Sequence, residues 1–64
     1  MEEAIKKLER KRNEWRERAE YHRKQMLVAH INHDKSKQEE HRQLGQLAVD
    51  TASELGYAIE ILKY

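Results

Sequence analysis

Asn32-His33-Asp34-Lys35-Ser36, followed by Glu39, is the stretch on which the fold turns. Asparagine tolerates the left-handed conformation that ends helices. Ser36 and Glu39 have the spacing of a capping box, which starts a new helix. Upstream, Ile5, Leu8, Arg12, Trp15, Ala19, His22, Met26, Ala29 and His33 recur in alternating steps of three and four, the mark of a helix seam facing another helix. Downstream, Leu44, Ala48, Thr51, Leu55, Ala58 and Leu62 form a second such seam. The spacing predicts a first helix over about 2–31, a turn over about 32–36 and a second helix over about 37–63. At 1.5 Å per residue these are roughly 45 and 40 Å long. Helices of matched length joined by a short loop lie side by side. The expected fold is all-α, a coiled-coil-like antiparallel hairpin forming one domain over 1–64. Leu8 is then placed near Ile61, Trp15 near Leu55 and Ser53, and His22 near Leu47. A single unbroken helix is the rival. The first register, carried past His33, lands on Ser36, Glu40, Gln43 and Asp50, so a continuous coiled coil has to absorb a shift there.

A chain of 64 residues buries only about 60% of its unfolded surface and gains little stability alone. Small scaffolds usually add a disulfide, a metal or a second copy. Cysteine is absent, which removes the disulfide and any implication of an oxidising compartment. Proline and phenylalanine are also absent, and glycine occurs only at 45 and 56. That scarcity of turn formers argues against tightly turned strands. No apolar run approaches the roughly 18 residues of a membrane span, and no apolar stretch follows the charges of Glu2-Glu3-Ala4-Ile5-Lys6-Lys7, as a signal peptide requires. A cytoplasmic protein is expected. The chain reads as a complete small reading frame, with a trimmed domain as the alternative.

One hairpin has one seam to cover, and this sequence carries more apolar surface than that. Met26, Leu27, Val28, Ala29 and Ile31 point in nearly all directions at 100° per residue, and a helix apolar all round is buried all round. On the second helix Gly45, Val49, Ala52 and Gly56 form a stripe at steps of four, three and four. Glycine inside a helix costs about 0.5–1 kcal/mol relative to alanine, so two of them on one stripe point to close approach of another backbone. Tyr57, Ile61 and Tyr64 form a third patch. These features predict a homodimer of hairpins as a four-helix bundle. Of these, Met26, Leu27, Val28, Ile31, Gly45, Val49, Ala52, Gly56, Tyr57 and Ile61, together with Trp15, are the expected protein-binding residues, tyrosine and tryptophan being favoured at interfaces.

Nine Lys or Arg lie within residues 6–24. Lys6, Lys7, Arg10, Lys11 and Arg12 are the candidates for contact with nucleic-acid phosphates. Six glutamates share residues 1–24, leaving +3 there and +1 for the whole chain. The isoelectric point is about 8.1, below the value above 9 usual for nucleic-acid binders. Acid–base pairs such as Glu2–Lys6, Glu3–Lys7, Glu14–Arg18 and Glu20–Lys24 read instead as an exposed, ion-paired helix. The same glutamates argue against a surface-lying membrane helix. His30, His33, Asp34 and His41 form the one conceivable metal set at the turn, but no ligand motif backs it and no metal or cofactor is expected. No histidine is placed with Ser36, Thr51 or Ser53 by any motif, and a two-helix hairpin offers no deep pocket. Neither catalysis nor a small-molecule substrate is expected.

Ser53-Glu54-Leu55-Gly56-Tyr57-Ala58-Ile59 resembles in part the Ser-Gln-Glu-Leu-Asp signature of the Spo0E-like aspartyl phosphatases, which are small helical hairpins. The glutamine and the final aspartate of that signature are missing, so the resemblance implies no residue roles. The sequence is thus expected to encode a small regulatory, inhibitory or adaptor protein, in the manner of bacterial or phage accessory proteins, that docks helix faces on a protein partner. A nucleic-acid-associated protein using the basic first helix and a purely structural, self-assembling coiled coil are the alternatives.

Overall fold

A computed structural model describes residues 2–64. It consists of two helices, α1 over Glu2–Ile31 and α2 over Lys35–Lys63, packed antiparallel in a rod about 47 Å long. The continuous helix is excluded by the turn. His33 has φ 57°, its N–H donates to the carbonyl of His30 at 3.1 Å, and the N–H of Asp34 donates to the carbonyl of Ala29 at 2.8 Å. Those two bonds are the Schellman arrangement with His33 as the left-handed residue, so orphan carbonyls at the end of α1 are satisfied. The left-handed position therefore falls on His33, one residue beyond the asparagine.

The cap of α2 also differs from expectation. Asp34, not Ser36, is the N-cap: its carboxylate accepts from the backbone N–H of Lys37 at 3.1 Å, and its carbonyl accepts from Gln38 at 3.0 Å. Ser36 lies inside the helix, and the Glu39 carboxylate turns to Arg42. An aspartate at this point both caps the amides and meets the positive end of the helix dipole, and it follows directly on the left-handed residue. Asp34→Ala is expected to destabilise the hairpin by about 0.5–2 kcal/mol, read as a lower denaturation midpoint. Ser36→Ala is expected to leave that midpoint within about 0.5 kcal/mol; equal losses would restore the capping box.

The seam of α1 packs as its heptad requires. Ile5, Leu8, Arg12, Trp15, Ala19, His22 and Met26 are half-buried and Ala29 is fully buried, while His33 is exposed. The seam of α2 is rotated. Ala48, Leu55 and Leu62 face α1 as expected and Thr51 and Ala58 are half-buried beside them, but the deepest intervening positions are Ala52 and Ile59, and Gly45 takes the place of Leu44. Ala52 and Ile59 are buried and Leu44 is exposed. The observed set His41, Gly45, Ala48, Ala52, Leu55, Ile59, Leu62 has the same steps of four and three. Volume explains the choice. A Cβ on Gly45 would sit 3.4 Å from His22 Cβ, and one on Gly56 would sit 3.8 Å from Arg12 Cδ. The bulky residues of α1 thus fill places where α2 has little side chain, and close packing of that kind is what a small core needs. The axial register is close to the expected one, with Arg12 against Gly56 and His22 against Gly45, but Ile61 and Leu47 are more than half exposed. Among the described residues the fully buried core is only Ala29, Ala48, Ala52 and Ile59.

Candidate interaction surface

The rotation of α2 changes what its small residues do. Gly45, Ala52 and Gly56 were expected to form an outward stripe against a second molecule. They lie against α1 instead, at the edge of the seam, and only Val49 stands clear at 47% exposure. Their outer side forms the floor of an open groove between the helices, about 680 Å³ in volume. Ala19 and Met26 of α1 complete the apolar floor with Gly45, Val49, Ala52 and Gly56, and Arg16, Arg23 and Arg42 stand along its edges with Glu20. The groove exists because small side chains on one helix leave the helices touching along a narrow line.

Two of those arginines are already engaged. Arg23 donates to Glu20 from Nη2 at 2.6 Å and from Nε at 3.1 Å. Arg42 donates to Glu39 from Nε at 2.9 Å, and Gln43 adds a bond to the same carboxylate at 3.2 Å. Glu20 therefore pairs three residues on with Arg23, not with Lys24 four residues on. The bond from Arg23 holds the Glu20 carboxyl below its ordinary 4.5, and the bonds from Arg42 and then Gln43 do the same for Glu39. Both carboxylates bind protons less readily folded than unfolded. Their contribution is complete above pH 4.5 and is lost as pH falls through the lowered folded values. The melting temperature is expected to drop on acidification below about pH 4.5, and less steeply in Arg23→Ala/Arg42→Ala; an identical acid limb would refute the pairing. The groups are fully exposed, so the effect is small.

Of the other expected contact residues, Trp15 and Met26 are half-buried in the seam, and the Arg18 guanidinium lies over the Trp15 ring at 4.4 Å from its centroid. Leu27, Val28, Ile31, Tyr57 and Ile61 are exposed, Ile31 at 72% and Tyr57 at 71%. Leu27 falls on the groove side of α1, Ile31 at the turn, and Tyr57 and Ile61 on the back of α2. The expected set missed Leu44, Leu47 and Tyr21. All three are exposed and lie on the face opposite the groove, where Tyr21 reaches His41 across the seam with ring centroids 6.4 Å apart. Leu44 was assigned to the core, and only the rotation of α2 reveals it as surface. Tyr21 sits outside the first heptad, a signal that was readable.

The basic set divides. Lys6, Lys7, Arg10 and Lys11 are exposed, with Glu3 beside the first three. Arg12 is half-buried against Gly56 with its Nε buried and unpartnered, so it is a seam residue and not a surface one. The turn histidines do not converge: among the described residues no three His, Asp or Glu side chains gather as a metal cage. Nor is any described helix long and apolar enough to cross a membrane. Compared with known proteins, the chain matches no family model, no curated protein and no solved structure.

Proposed function

We propose that this hairpin is a non-enzymatic binding module, a small regulatory, inhibitory or adaptor protein that works by docking helix faces on a protein partner. The observation that carries this reading is the imbalance of apolar surface. Four residues are fully buried, three of them alanines, while ten large hydrophobic residues are exposed. Large contiguous apolar surface on a soluble protein marks a site of interaction. The groove suits one helix of a partner, laid as an apolar strip on the Ala19–Val49–Gly56 floor. With Arg23 and Arg42 paired to Glu20 and Glu39, Arg16 supplies the rim's excess positive charge and favours an acidic side chain beside that strip, since complementary charge steers encounter and sets register. The groove also argues for a non-catalytic role. Ser53 and His41, both lining it, stand 12 residues apart on one helix, about 18 Å, too far for a nucleophile and its base.

The test is Val49→Glu, which puts a carboxylate on the groove floor without touching the buried core. A partner recovered with the wild-type chain is expected to be lost with Val49→Glu and retained with Lys6→Glu/Lys7→Glu. The opposite pattern, with a gel shift on duplex or single-stranded nucleic acid at about 50 mM salt that fades as salt rises, would install the nucleic-acid reading. A second reading, self-association, rests on the separate Tyr21–Leu44–Leu47 face. That face is apolar and lies opposite the groove, so a homodimer built on it leaves the groove open.

A further inference from the structure

His22 and His41 meet in the seam itself, His41 at the end of the groove, and their pairing is a feature the docking surfaces do not use. Their Nδ1 atoms meet across the seam at 2.9 Å, with the rings tilted by 34° and their centroids 5.2 Å apart. Both residues are half-buried. Tyr21 stands edge-on to both rings, 5.2 Å from His22 and 6.4 Å from His41, which restricts their rotation. In the hydrogen bond one Nδ1 carries the hydrogen and the other offers its lone pair. The two nitrogens, from different helices, are thus aimed at one point in space. A Zn²⁺ ion held at 2.0–2.1 Å by two ligands at the tetrahedral angle keeps them about 3.3 Å apart. The separation needs to grow by only about 0.4 Å for the ion to replace the shared hydrogen.

We propose that His22 and His41 form a two-imidazole site for a borderline divalent ion, Zn²⁺, Ni²⁺ or Cu²⁺, that clips α1 to α2 on the turn side of the hairpin. Imidazole nitrogen suits these three ions. On binding, the hydrogen of the donating Nδ1 moves through solvent to Nε2 of the same ring, so both imidazoles bind neutral and the pair releases no net proton. Gln25 and Gln38 form the next half-buried layer toward the turn, each three residues from one histidine. Water completes the coordination in the simplest case. An ion here joins two helices that a core of three alanines and one isoleucine holds weakly, so occupancy is coupled to folding. This site shares His41 with the expected turn set of His30, His33, Asp34 and His41, but its second ligand is His22 of α1 in place of the residues of the turn.

Thermal melts of the full chain with Zn²⁺, Ni²⁺ or Cu²⁺, each reversed with a chelator, test the assignment. Free metal at about a hundred times its dissociation constant is expected to raise Tm by about 20 °C. The rise is expected to vanish in His41→Gln and to survive in His30→Gln/His33→Gln. Histidine-ring NMR of the wild-type chain gives the answer even if His41→Gln does not fold: stoichiometric Zn²⁺ is expected to move the Nδ1 resonances of His22 and His41 and leave those of His30 and His33. An unchanged Tm, a rise abolished by removing His30 and His33, or ring shifts confined to those two would each overturn the site.

Discussion

Ile59→Ala is expected to abolish the cooperative thermal transition of this protein. Ile59 is 1% exposed and, among the described residues, the one large side chain that is fully buried. Its companions in the core are alanines, which bury little apolar area. Truncating a buried isoleucine costs about 2–5 kcal/mol through lost transfer energy and the cavity left behind. A core in a scaffold of this size rarely supplies more than about 3–5 kcal/mol, so the single change consumes most of what holds the helices together. The control is Ile61→Ala, the same chemical change two residues on, where the side chain is 56% exposed. At low micromolar concentration it is expected to shift stability by less than about 0.5 kcal/mol. Circular dichroism melts distinguish the two. Equal midpoints for both variants would mean that the packing of α2 on α1 is rotated from the one described.

Light scattering at about 100 μM is expected to return twice the monomer mass of 7.7 kDa, and Leu47→Glu is expected to return the monomer. Each large aliphatic left in water forgoes roughly 1.5–3 kcal/mol, and Leu44, Leu47 and Tyr21 share one exposed face. Pairing that face with its copy by a two-fold axis removes the surface from both chains at once. Leu47, at 57% exposure, makes little contact with α1, so a glutamate there leaves the hairpin intact while placing an unpaired charge in the interface. A dissociation constant weakened by about 100-fold corresponds to about 2.7 kcal/mol, within the cost of burying such a charge. Gly56→Leu is expected to behave differently. A Cβ there is in ordinary contact with Arg12 Cδ at 3.8 Å, so the rest of a leucine side chain has to be accommodated at the edge of the α1–α2 seam, and the variant is expected to change the melting temperature of the hairpin itself. A dimer that survives Leu47→Glu but dissociates with Gly56→Leu while the hairpin remains folded would return the interface to the small-residue side. A monomer at 100 μM with a cooperative melt would leave the whole apolar surplus to a protein partner.

The two helices were legible because their signals are local. Alternating steps of three and four, a cluster of polar cap-forming residues at 32–36 and the absence of proline each act within a few residues. The seam of α1 was legible for a further reason: up to residue 20 its large apolar residues, Ile5, Leu8 and Trp15, all fall on one heptad. The cap was half-legible. Asp34 and Ser36 are both good N-cap residues, and the choice between them depends on where the left-handed residue of the preceding helix falls, a matter of two hydrogen bonds that composition does not reveal. The candidate site was the least legible part. Leu47 and Tyr21 are exposed, but exposure of α2 depends on its rotation. Val49 keeps its expected place, whereas Gly45 and Gly56 do not.

The sequence by itself determined two helices, their antiparallel return and the buried stripe of α1, because periodicity and chain breaks dictate these without reference to any neighbour. Tertiary structure decided the rotation of α2. Two interleaved sets on that helix share Ala48, Leu55 and Leu62 and obey the same spacing; one adds Leu44, Thr51 and Ala58, the other Gly45, Ala52 and Ile59. Pattern alone cannot rank them. What ranks them is the shape of α1: His22 needs room opposite, and the second set provides it at Gly45 while burying Ile59, with Gly56 at the edge of the seam leaving room for Arg12. That rotation of about half a residue step sends Leu44 and Leu47 to the surface, opens the groove beside Val49 and brings the nitrogens of His22 and His41 together.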